Sequence, residues 1–228
     1  MRIGVIASAG GSVFSEVFDR LMAIDPDKHE FCVITDRKCK IEDFCESRKI
    51  EHFRIKTMDN NLFSKNANIK FSEFGNLDFA ILYFSRLITG EVFDKYPTFN
   101  IHPSLLPAFR GLNPIDNAIN AKVKFFGATL HLVDNSIDNG PIIGQVCMPI
   151  RLNEKEEYLR KVSFIQKVYL SFLILELMEK NCIKNRNIDY ECINNFPITD
   201  RCNPLLTNPG YLKNVFQIQI NENIEVIK

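Results

Sequence analysis

The stretch Arg2–Ala7, with the sequence RIGVIA, and the turn Ser8-Ala9-Gly10-Gly11-Ser12 that follows it decide the fold class of this chain. A short apolar run stops at two adjacent glycines. Apolar residues then recur at helical spacing, at Val13, Phe14, Val17, Phe18, Leu21 and Met22. This order predicts a buried strand, a glycine turn and a helix, which is the repeating unit of α/β proteins.

The same alternation continues through the first half of the chain. Strands are predicted near Phe31–Thr35, His52–Ile55, Leu77–Tyr83 and Thr98–His102, with helices near Ile41–Ser47, in the sixties and after Gly90. Apolar strands separated by helices predict a doubly wound, mostly parallel sheet with helices on both faces. Such sheets bind ligands beyond the carboxyl ends of their strands, so the loops there are the candidates for function.

The second half begins with two further predicted strands, Phe125–Val133 and Pro141–Ile150. Asn153 and Glu156 read as a capping box that opens a long helix to about Lys180. The apolar positions of this helix form a core-facing stripe of Leu159, Val162, Ile165, Val168, Phe172 and Leu175.

From Lys184 onward the chain is rich in Asn and Pro and contains short β-like runs at Val215–Ile220 and Ile224–Ile227. We therefore expect a catalytic domain over residues 1–183 and a small C-terminal extension over residues 184–228. The exposed edges of β-like runs make this extension a candidate contact in a homodimer.

The charged residues balance, with 28 basic and 28 acidic side chains and a formal net charge of zero. This balance gives no electrostatic reason to expect nucleic acid or a membrane as partner. Seven cysteines without a secretory leader predict reduced thiols in a cytoplasmic protein. No cysteine pair has the spacing of a zinc site, so no metal is expected.

The segment Asn100-Ile101-His102-Pro103-Ser104-Leu105-Leu106-Pro107 is the most specific chemical signal. A strand places Asn100 and His102 on one face at its carboxyl end, where the prolines force a turn. Asp138 lies in the loop that leaves a neighbouring strand. A carboxylate there would fix the tautomer of His102 and raise its basicity, so the three side chains could stabilise an oxyanion and move protons.

The turn that contains Gly10, Gly11 and Ser12 is a weaker signal. It lacks the full G-x-G-x-x-G spacing, although its amides at a helix start could bind a phosphate. A tight turn chosen only for its geometry explains the glycines equally well.

The motif from Asn100 to Pro107, with Arg110-Gly111 and Asp138-x-Gly140-Pro141, resembles the 10-formyltetrahydrofolate-dependent formyltransferases over most of residues 1–180. The resemblance implies their Rossmann-like fold and a catalytic triad of Asn100, His102 and Asp138. It also implies a folate cleft lined by Phe84, Arg86, Leu87 and Ile88 and by Val133, Asp134 and Ile137. Acyl transfer would then proceed by attack of an amine on the formyl carbon, with Asn100 and protonated His102 stabilising the negative oxygen.

The resemblance leaves the acceptor amine open. Transfer RNA is disfavoured because the C-terminal extension is short and neutral. The formyltetrahydrofolate hydrolases are disfavoured because they have a regulatory domain before the catalytic one, whereas the first strand here begins at Arg2. Phosphoribosylglycinamide and a nucleotide-linked amino sugar remain, and both are small phosphorylated amines.

Three departures favour the sugar nucleotide. Val13 stands where the phosphoribosylglycinamide enzymes usually have Asn, and Phe164-Ile165-Gln166-Lys167 lacks the acid that holds the ribose in them. Arg110-Gly111-Leu112-Asn113-Pro114 resembles the sugar and tRNA formyltransferases more closely. We expect Gly10, Gly11, Ser12, Arg110 and Asn113 to bind the acceptor, for example a dTDP-linked 4-amino-4,6-dideoxyhexose used in O-antigen (lipopolysaccharide) synthesis. The alternatives are phosphoribosylglycinamide as acceptor and, more remotely, a non-catalytic folate- or nucleotide-binding protein.

Overall fold

The computed structural model describes residues 1–151 and 154–227, which form two compact units. The first unit comprises residues 1–100 and 132–135, and the second comprises residues 101–131 and 136 onward. The first unit contains, in chain order, β1 (Arg2–Ala7), α1 (Ser12–Ile24), β2 (Glu30–Thr35), α2 (Lys40–Arg48), β3 (Glu51–Arg54), α3 (Asn60–Phe74), β4 (Phe79–Tyr83), α4 (Gly90–Phe93) and β5 (Thr98–His102). The last two residues of β5 belong to the second unit.

The strands of the first unit are all parallel. β1 pairs with β2 and β4, β2 pairs with β3, and β4 pairs with β5, which gives the order β5-β4-β1-β2-β3. The predicted parallel sheet is therefore confirmed, and the predicted bounds of β5 match those observed.

Helices cover both faces of these strands. Phe31 on β2 packs against Phe14 of α1, with ring centroids 5.6 Å apart. The next residue, Cys32, points to the opposite face, where Phe63 and Phe71 of α3 form a buried cluster with it. Alternate residues of one strand thus enter two different helix layers, as a doubly wound fold requires.

The second unit contains the two predicted strands, β6 (Phe125–Leu132), whose last residue belongs to the first unit, and β7 (Ile142–Pro149). These two strands pair antiparallel. The other elements of the second unit are α5 (Pro114–Asn120), α6 (Glu156–Glu179), β8 (Ile183–Lys184), β9 (Asn187–Ile188), α7 (Tyr190–Asn194), β10 (Cys202–Asn203) and α8 (Pro209–Glu222). The predicted apolar stripe of α6 is entirely buried. Asn153 of the predicted capping box lies outside the described residues, and Glu156 is the first residue of α6 rather than the third, so the predicted box is wrong in register.

The C-terminal segment is helical where we predicted strands. Asn208 caps α8 through hydrogen bonds that its side chain accepts from the backbone of Gly210 and Tyr211. Tyr211 stacks on Phe172 of α6 at 5.0 Å between centroids. The run Ile224–Ile227 forms no strand either, because the backbone N–H groups of its residues 226 and 227 are donated to the Gln219 side chain.

One expectation about the cysteines is also wrong. Cys182 and Cys192 form a disulfide, because the short β8–β9 hairpin brings the start of α7 back to the end of α6. The other five cysteines, Cys32, Cys39, Cys45, Cys147 and Cys202, are free.

Candidate active site

The site centres on an imidazole and a carboxylate in the second unit. His102 is the last residue of β5 and is almost completely buried. Its Nδ1 atom lies 3.2 Å from Oδ2 of Asp138, which stands in the turn between β6 and β7. The strand ends here because Pro103 lacks the N–H that would continue the ladder. The predicted pairing of His102 with Asp138 is therefore present.

The turn after β5 folds back onto the same two side chains. Nε2 of His102 lies 2.8 Å from the carbonyl oxygen of Phe109. The N–H of Gly111 donates to Oδ2 of Asp138 at 2.9 Å. Gly111 has a φ of 81°, which glycine adopts without strain. Both ring nitrogens of His102 thus face oxygen atoms of the protein.

His131 is a third titratable member of the site that the sequence analysis missed. It lies on β6, is buried, and places Nε2 3.7 Å from Oδ1 of Asp138. One feature of the sequence could have identified His131, namely its position near the end of the strand that leads into the Asp138 loop. Burial pushes the pKa of Asp138 upward, but His131, the Gly111 N–H and His102 bring it below its usual value. Asp138 is therefore ionised at neutral pH.

The basicity of His102 differs from our expectation. Burial lowers its pKa below the usual 6.5, and this effect outweighs the Phe109 carbonyl and Asp138, which raise the pKa. Its neighbours His131 and Lys167 lower this pKa further. A neutral ring can donate to only one of its two flanking oxygens, whereas a protonated ring donates to both. The site is thus suited to receive a proton rather than to hold one.

The buried hydroxyl of Thr129 holds the turn after β5 in place, and the sequence analysis missed it as well. Oγ1 of Thr129 donates to the Ser104 carbonyl at 2.8 Å and accepts from the Leu106 N–H at 3.0 Å. Gln145 donates to the same hydroxyl and to the Leu106 carbonyl. These bonds fix the backbone between His102 and Phe109.

Asn100 precedes His102 by two residues on β5, so both side chains lie on the same face of that strand. Asn100 pairs in register with Leu82 of β4 and is half-buried, in contrast to its buried neighbours Phe99 and Ile101. Its amide is therefore placed at the carboxyl end of a parallel strand, as predicted.

The predicted folate loop belongs to the first unit and follows β4. Arg86 donates to the carbonyl oxygens of Thr57 and Met58 at 2.8 and 2.9 Å, and to Oδ1 of Asn60 at 2.9 Å. Phe84 stacks on Phe63 at 5.0 Å, and Ile88 is buried. These three side chains shape the loop from within.

An exposed apolar side chain remains on each predicted folate segment. Leu87 is 51% exposed in the first unit, and Ile137 is 55% exposed in the second. Val133 is tied by its N–H to the Thr98 carbonyl and packs against the core, with Asp134 next to it. Exposed apolar side chains beside fixed backbone are typical of surfaces that bind a heteroaromatic ring such as the pterin of folate, and binding of folate by each of these segments stays a prediction.

The glycine turn is exposed at the start of α1. Gly11 has a φ of 67°, and a side chain there would meet Ile41, so geometry and packing both require glycine. Gly10 faces open space, and Ser12 begins the helix. The first N–H groups of a helix have no partner within it, so phosphate binding at this turn stays a prediction.

Arg110 and Asn113, the other predicted acceptor residues, are exposed on the turn before α5. Asn113 has a φ of 55° and caps that helix, followed by Pro114. Their contact with an acceptor stays a prediction.

Within residues 1–151 and 154–227, no three His, Cys, Asp or Glu side chains are grouped to hold a metal ion. Over the same part of the chain, no helix combines the length and apolarity needed to cross a bilayer.

Comparisons with known proteins match this geometry to one family. A family model described as formyl transferase matches residues 1–170. Phosphoribosylglycinamide formyltransferase of Bacillus subtilis (strain 168) is 29% identical over 187 residues, which are 79% of this chain and 96% of that protein. Formyltetrahydrofolate deformylase 2, mitochondrial, of Arabidopsis thaliana is 39% identical over 109 residues, which are 46% of this chain and 30% of that protein.

The crystal structure of phosphoribosylglycinamide formyltransferase from Anaplasma phagocytophilum superposes with a TM-score of 0.72 at 28% identity, covering 80% of this chain and 88% of that one. This likeness confirms the Rossmann-like fold that the sequence predicted. The names of these relatives do not support our expectation that the sugar nucleotide enzymes come first. They fit the alternative acceptor, phosphoribosylglycinamide, better.

Proposed function

Because the chain belongs to the formyl transferase family, we propose that Asn100, His102 and Asp138 carry out formyl transfer to the amine of phosphoribosylglycinamide. The chain is a 10-formyltetrahydrofolate-dependent N-formyltransferase. The observation that carries the assignment of the triad is the His102–Asp138 pair, with Asp138 also fixed by the Gly111 N–H. 10-Formyltetrahydrofolate supplies the formyl group when it is bound.

His102 acts as the proton carrier in this proposal. The lone pair of the acceptor amine adds to the formyl carbon, and the amine then gives a proton to the neutral imidazole. Asp138, which is ionised, stabilises the imidazolium that results. His102 then gives this proton to the folate nitrogen as the bond between that nitrogen and the formyl carbon breaks. The proton count therefore balances within the triad.

Asn100 has a different role. Its side-chain amide donates a hydrogen bond to the formyl oxygen, which becomes negative as the amine adds. Position on the same strand face as His102 supports this role. A donor fixed by a strand needs little reorganisation during the reaction, which is the condition for effective oxyanion stabilisation.

The Phe109 carbonyl occupies the direction from which Nε2 of His102 would exchange a proton. We therefore expect the turn from 103 to 113 to shift when the acceptor binds, so that Nε2 is released. Hydrogen exchange measured with and without acceptor would show this as a change in the amide of Gly111.

A nucleotide-linked amino sugar is the second candidate acceptor. It is favoured by Val13, which is buried in α1 where the phosphoribosylglycinamide enzymes usually have Asn, and by Gln166, which is buried on α6 near the place of their acid. An unmatched polar group on a bound substrate costs about 1–3 kcal/mol, so these exchanges bear directly on the acceptor. An O-antigen role belongs to this candidate alone.

The test is formyl transfer by the purified chain from 10-formyltetrahydrofolate to each amine. We expect turnover of phosphoribosylglycinamide. Turnover of only a dTDP-amino sugar would transfer the proposal to the second candidate. Release of formate without an acceptor would indicate a deformylase, and no reaction with any amine would leave a binding protein. Cytoplasmic location and a homodimer remain proposals, the latter open to size-exclusion chromatography.

A further inference from the structure

The chain segments that follow β1 and β4 leave the sheet on opposite sides. The two strands pair in parallel up to Ala7 and Tyr83, and β2 lies on the other side of β1. The segment after β1 leads to α1 on one face, whereas the segment after β4 leads to α4, which belongs to the buried cluster on the other face. A parallel sheet has its ligand crevice where its strand order reverses in this way.

Two serines join these segments just beyond the sheet. Ser8 directly follows β1, and Ser85 is the second residue after β4. The N–H of Ser85 donates to Oγ of Ser8 at 3.1 Å, and the two Oγ atoms lie 3.0 Å apart. We call this pair of hydrogen bonds the serine bridge. It continues the contact between the two segments after their strand pairing has ended.

The hydroxyl of Ser8 is used entirely by the bridge. Ser8 is buried, whereas Ser85 is exposed. Oγ of Ser8 accepts the Ser85 N–H, and among the described residues its own proton has one partner, Oγ of Ser85. A buried hydroxyl is almost always hydrogen-bonded, and many serines at such turns bond their own backbone. Ser8 instead bonds a residue 77 positions further along the chain.

The bridge lies between the two segments that we expect to hold the substrates. Ser8 is two residues before Gly10, the first residue of the predicted acceptor turn, and Ser85 lies between Phe84 and Arg86 of the predicted folate loop. Phe84 and Arg86 both contact residues of α3. Ser85 alone of these three bonds the segment after β1. All of these residues belong to the first unit.

We propose that the serine bridge is a positioning element that fixes the width of this crevice, so that the acceptor amine is held against the formyl carbon of the folate. The proposal rests on the proposed formyl transfer and deepens it. A misplacement of about 1 Å between reacting groups can cost about 100-fold in rate. The bridge acts through the two segments and does not itself touch the reacting atoms.

A wider crevice would let water react in place of the amine. The water oxygen would add to the formyl carbon, and the bond between that carbon and the folate nitrogen would break. One proton of the water would pass to this nitrogen, which gives tetrahydrofolate and formic acid, and the acid then ionises to formate. The bridge would therefore favour formyl transfer over hydrolysis.

Ser8→Ala is the first test, with Ser47→Ala as the matched control. Ser47 is exposed on α2 in the same unit and donates to the Phe44 carbonyl of its own helix. Because Ser8→Ala removes both bonds of the bridge, we expect kcat for transfer to fall about 10-fold and the formate released per formylated amine to rise about 10-fold. Mass spectrometry of the formylated amine and an enzymatic formate assay measure this ratio. A lower fraction of folded enzyme would not change the ratio, so a merely structural role would leave it unaltered.

Ser85 allows a milder change at the other end of the bridge. Ser85→Ala removes one hydroxyl but keeps the N–H that donates to Ser8, so its effect on the ratio should be smaller, about 3-fold. Ser85→Thr keeps the hydroxyl at an exposed position and should retain the wild-type ratio. The double variant Ser8→Ala/Ser85→Ala should be no worse than Ser8→Ala, because the bridge is already absent from the single variant.

A wild-type ratio of formate to formylated amine in Ser8→Ala would overturn the proposal, and so would equal effects of Ser8→Ala and Ser47→Ala. Additive effects in the double variant would also overturn it, since the two serines would then act separately. A wild type that formylates neither acceptor would overturn the proposed function and the role of the bridge with it. A failure of the bridge alone would leave transfer by the wild type intact, so the two failures are distinguishable.

Discussion

The two loops that the sequence assigned to function differ in how well their charged or titratable side chain is satisfied by hydrogen bonds. Arg86, in the loop after β4, is bound by two carbonyls, by Asn60 and by Asp36, and lies against Phe63 and Phe84. His102, at the end of β5, faces one carboxylate and one carbonyl and cannot satisfy both while neutral. A guanidinium keeps its proton at any physiological pH, so the hydrogen bonds of Arg86 hold its loop in one conformation throughout that range. An imidazole gains or loses a proton near neutral pH, so His102 is suited to proton transfer.

The largest effect should come from the second loop. His102→Gln should lower kcat/KM about 10²- to 10⁴-fold, because the proton carrier is lost while the side chain keeps its polarity and approximate size. Folate affinity and melting temperature should remain close to wild type. Steady-state kinetics, with fluorescence titration of the folate, would measure both. Near-normal turnover would contradict the assignment of the triad.

The first loop should respond in stability rather than in chemistry. Arg86→Met leaves the carbonyls of Thr57 and Met58 without donors, so we expect the free energy of unfolding to fall by about 2–4 kcal/mol. Chemical denaturation measures this quantity. Arg37→Met is the matched control, since Arg37 also pairs with Asp36 but is exposed, and it should leave the free energy of unfolding close to that of the wild type. Equal effects of the two variants would show that Arg86 is not the scaffold we describe.

The pH dependence of activity and of stability should differ between the two loops. Because the folded pKa of His102 lies below 6.5, the neutral ring persists to lower pH than in an unfolded chain. We expect kcat/KM to be flat above 6.5 and to fall as pH drops through the folded pKa of His102. The stability that the neutral ring contributes is likewise complete above 6.5 and is lost as pH falls from there to the folded pKa.

Asp36 titrates in a lower range. Burial pushes its pKa up, but hydrogen bonds from Arg37 and Arg86 hold it below 3.8. Its contribution to stability is therefore present above 3.8 and is lost only as pH falls through the lower folded pKa. Imidazole titration by NMR and melting curves from about pH 3 to 8 would test both windows. A His102 pKa above 6.5 would reverse the proposed direction.

The smallest effect concerns the exposed apolar residue beside Arg86. Leu87→Ala should raise KM for the folate about 3- to 10-fold, since about 1 kcal/mol of apolar contact is removed. The kcat should stay unchanged. Met58→Ala is the control, because Met58 is 88% exposed in the same unit and was not assigned to the folate. An equal response of the two variants would remove Leu87 from the binding surface.

The parts of the fold that depend on local pattern were predictable. The bounds of β5 and the buried stripe of α6 follow from apolar periodicity alone. The helix α8 does not follow from apolar periodicity, because Val215–Ile220 also has the pattern of a strand. Packing of Tyr211 on α6 and the Asn208 cap decide for helix there, and both contacts reach beyond the run itself. Short segments take their structure from such tertiary contacts rather than from propensity.

The sequence by itself determined the parallel sheet with helices on both faces, the end of β5 at Pro103, and the presence of Asn100, His102 and Asp138. These depend on residue type and spacing along the chain. Only the tertiary structure decided the partners, namely His131 beside Asp138 and the Phe109 carbonyl on His102. The physical reason is that charge and burial in a site come from residues far apart in sequence. Desolvation, with smaller contributions from His131 and Lys167, lowers the pKa of His102 where a carboxylate alone would raise it.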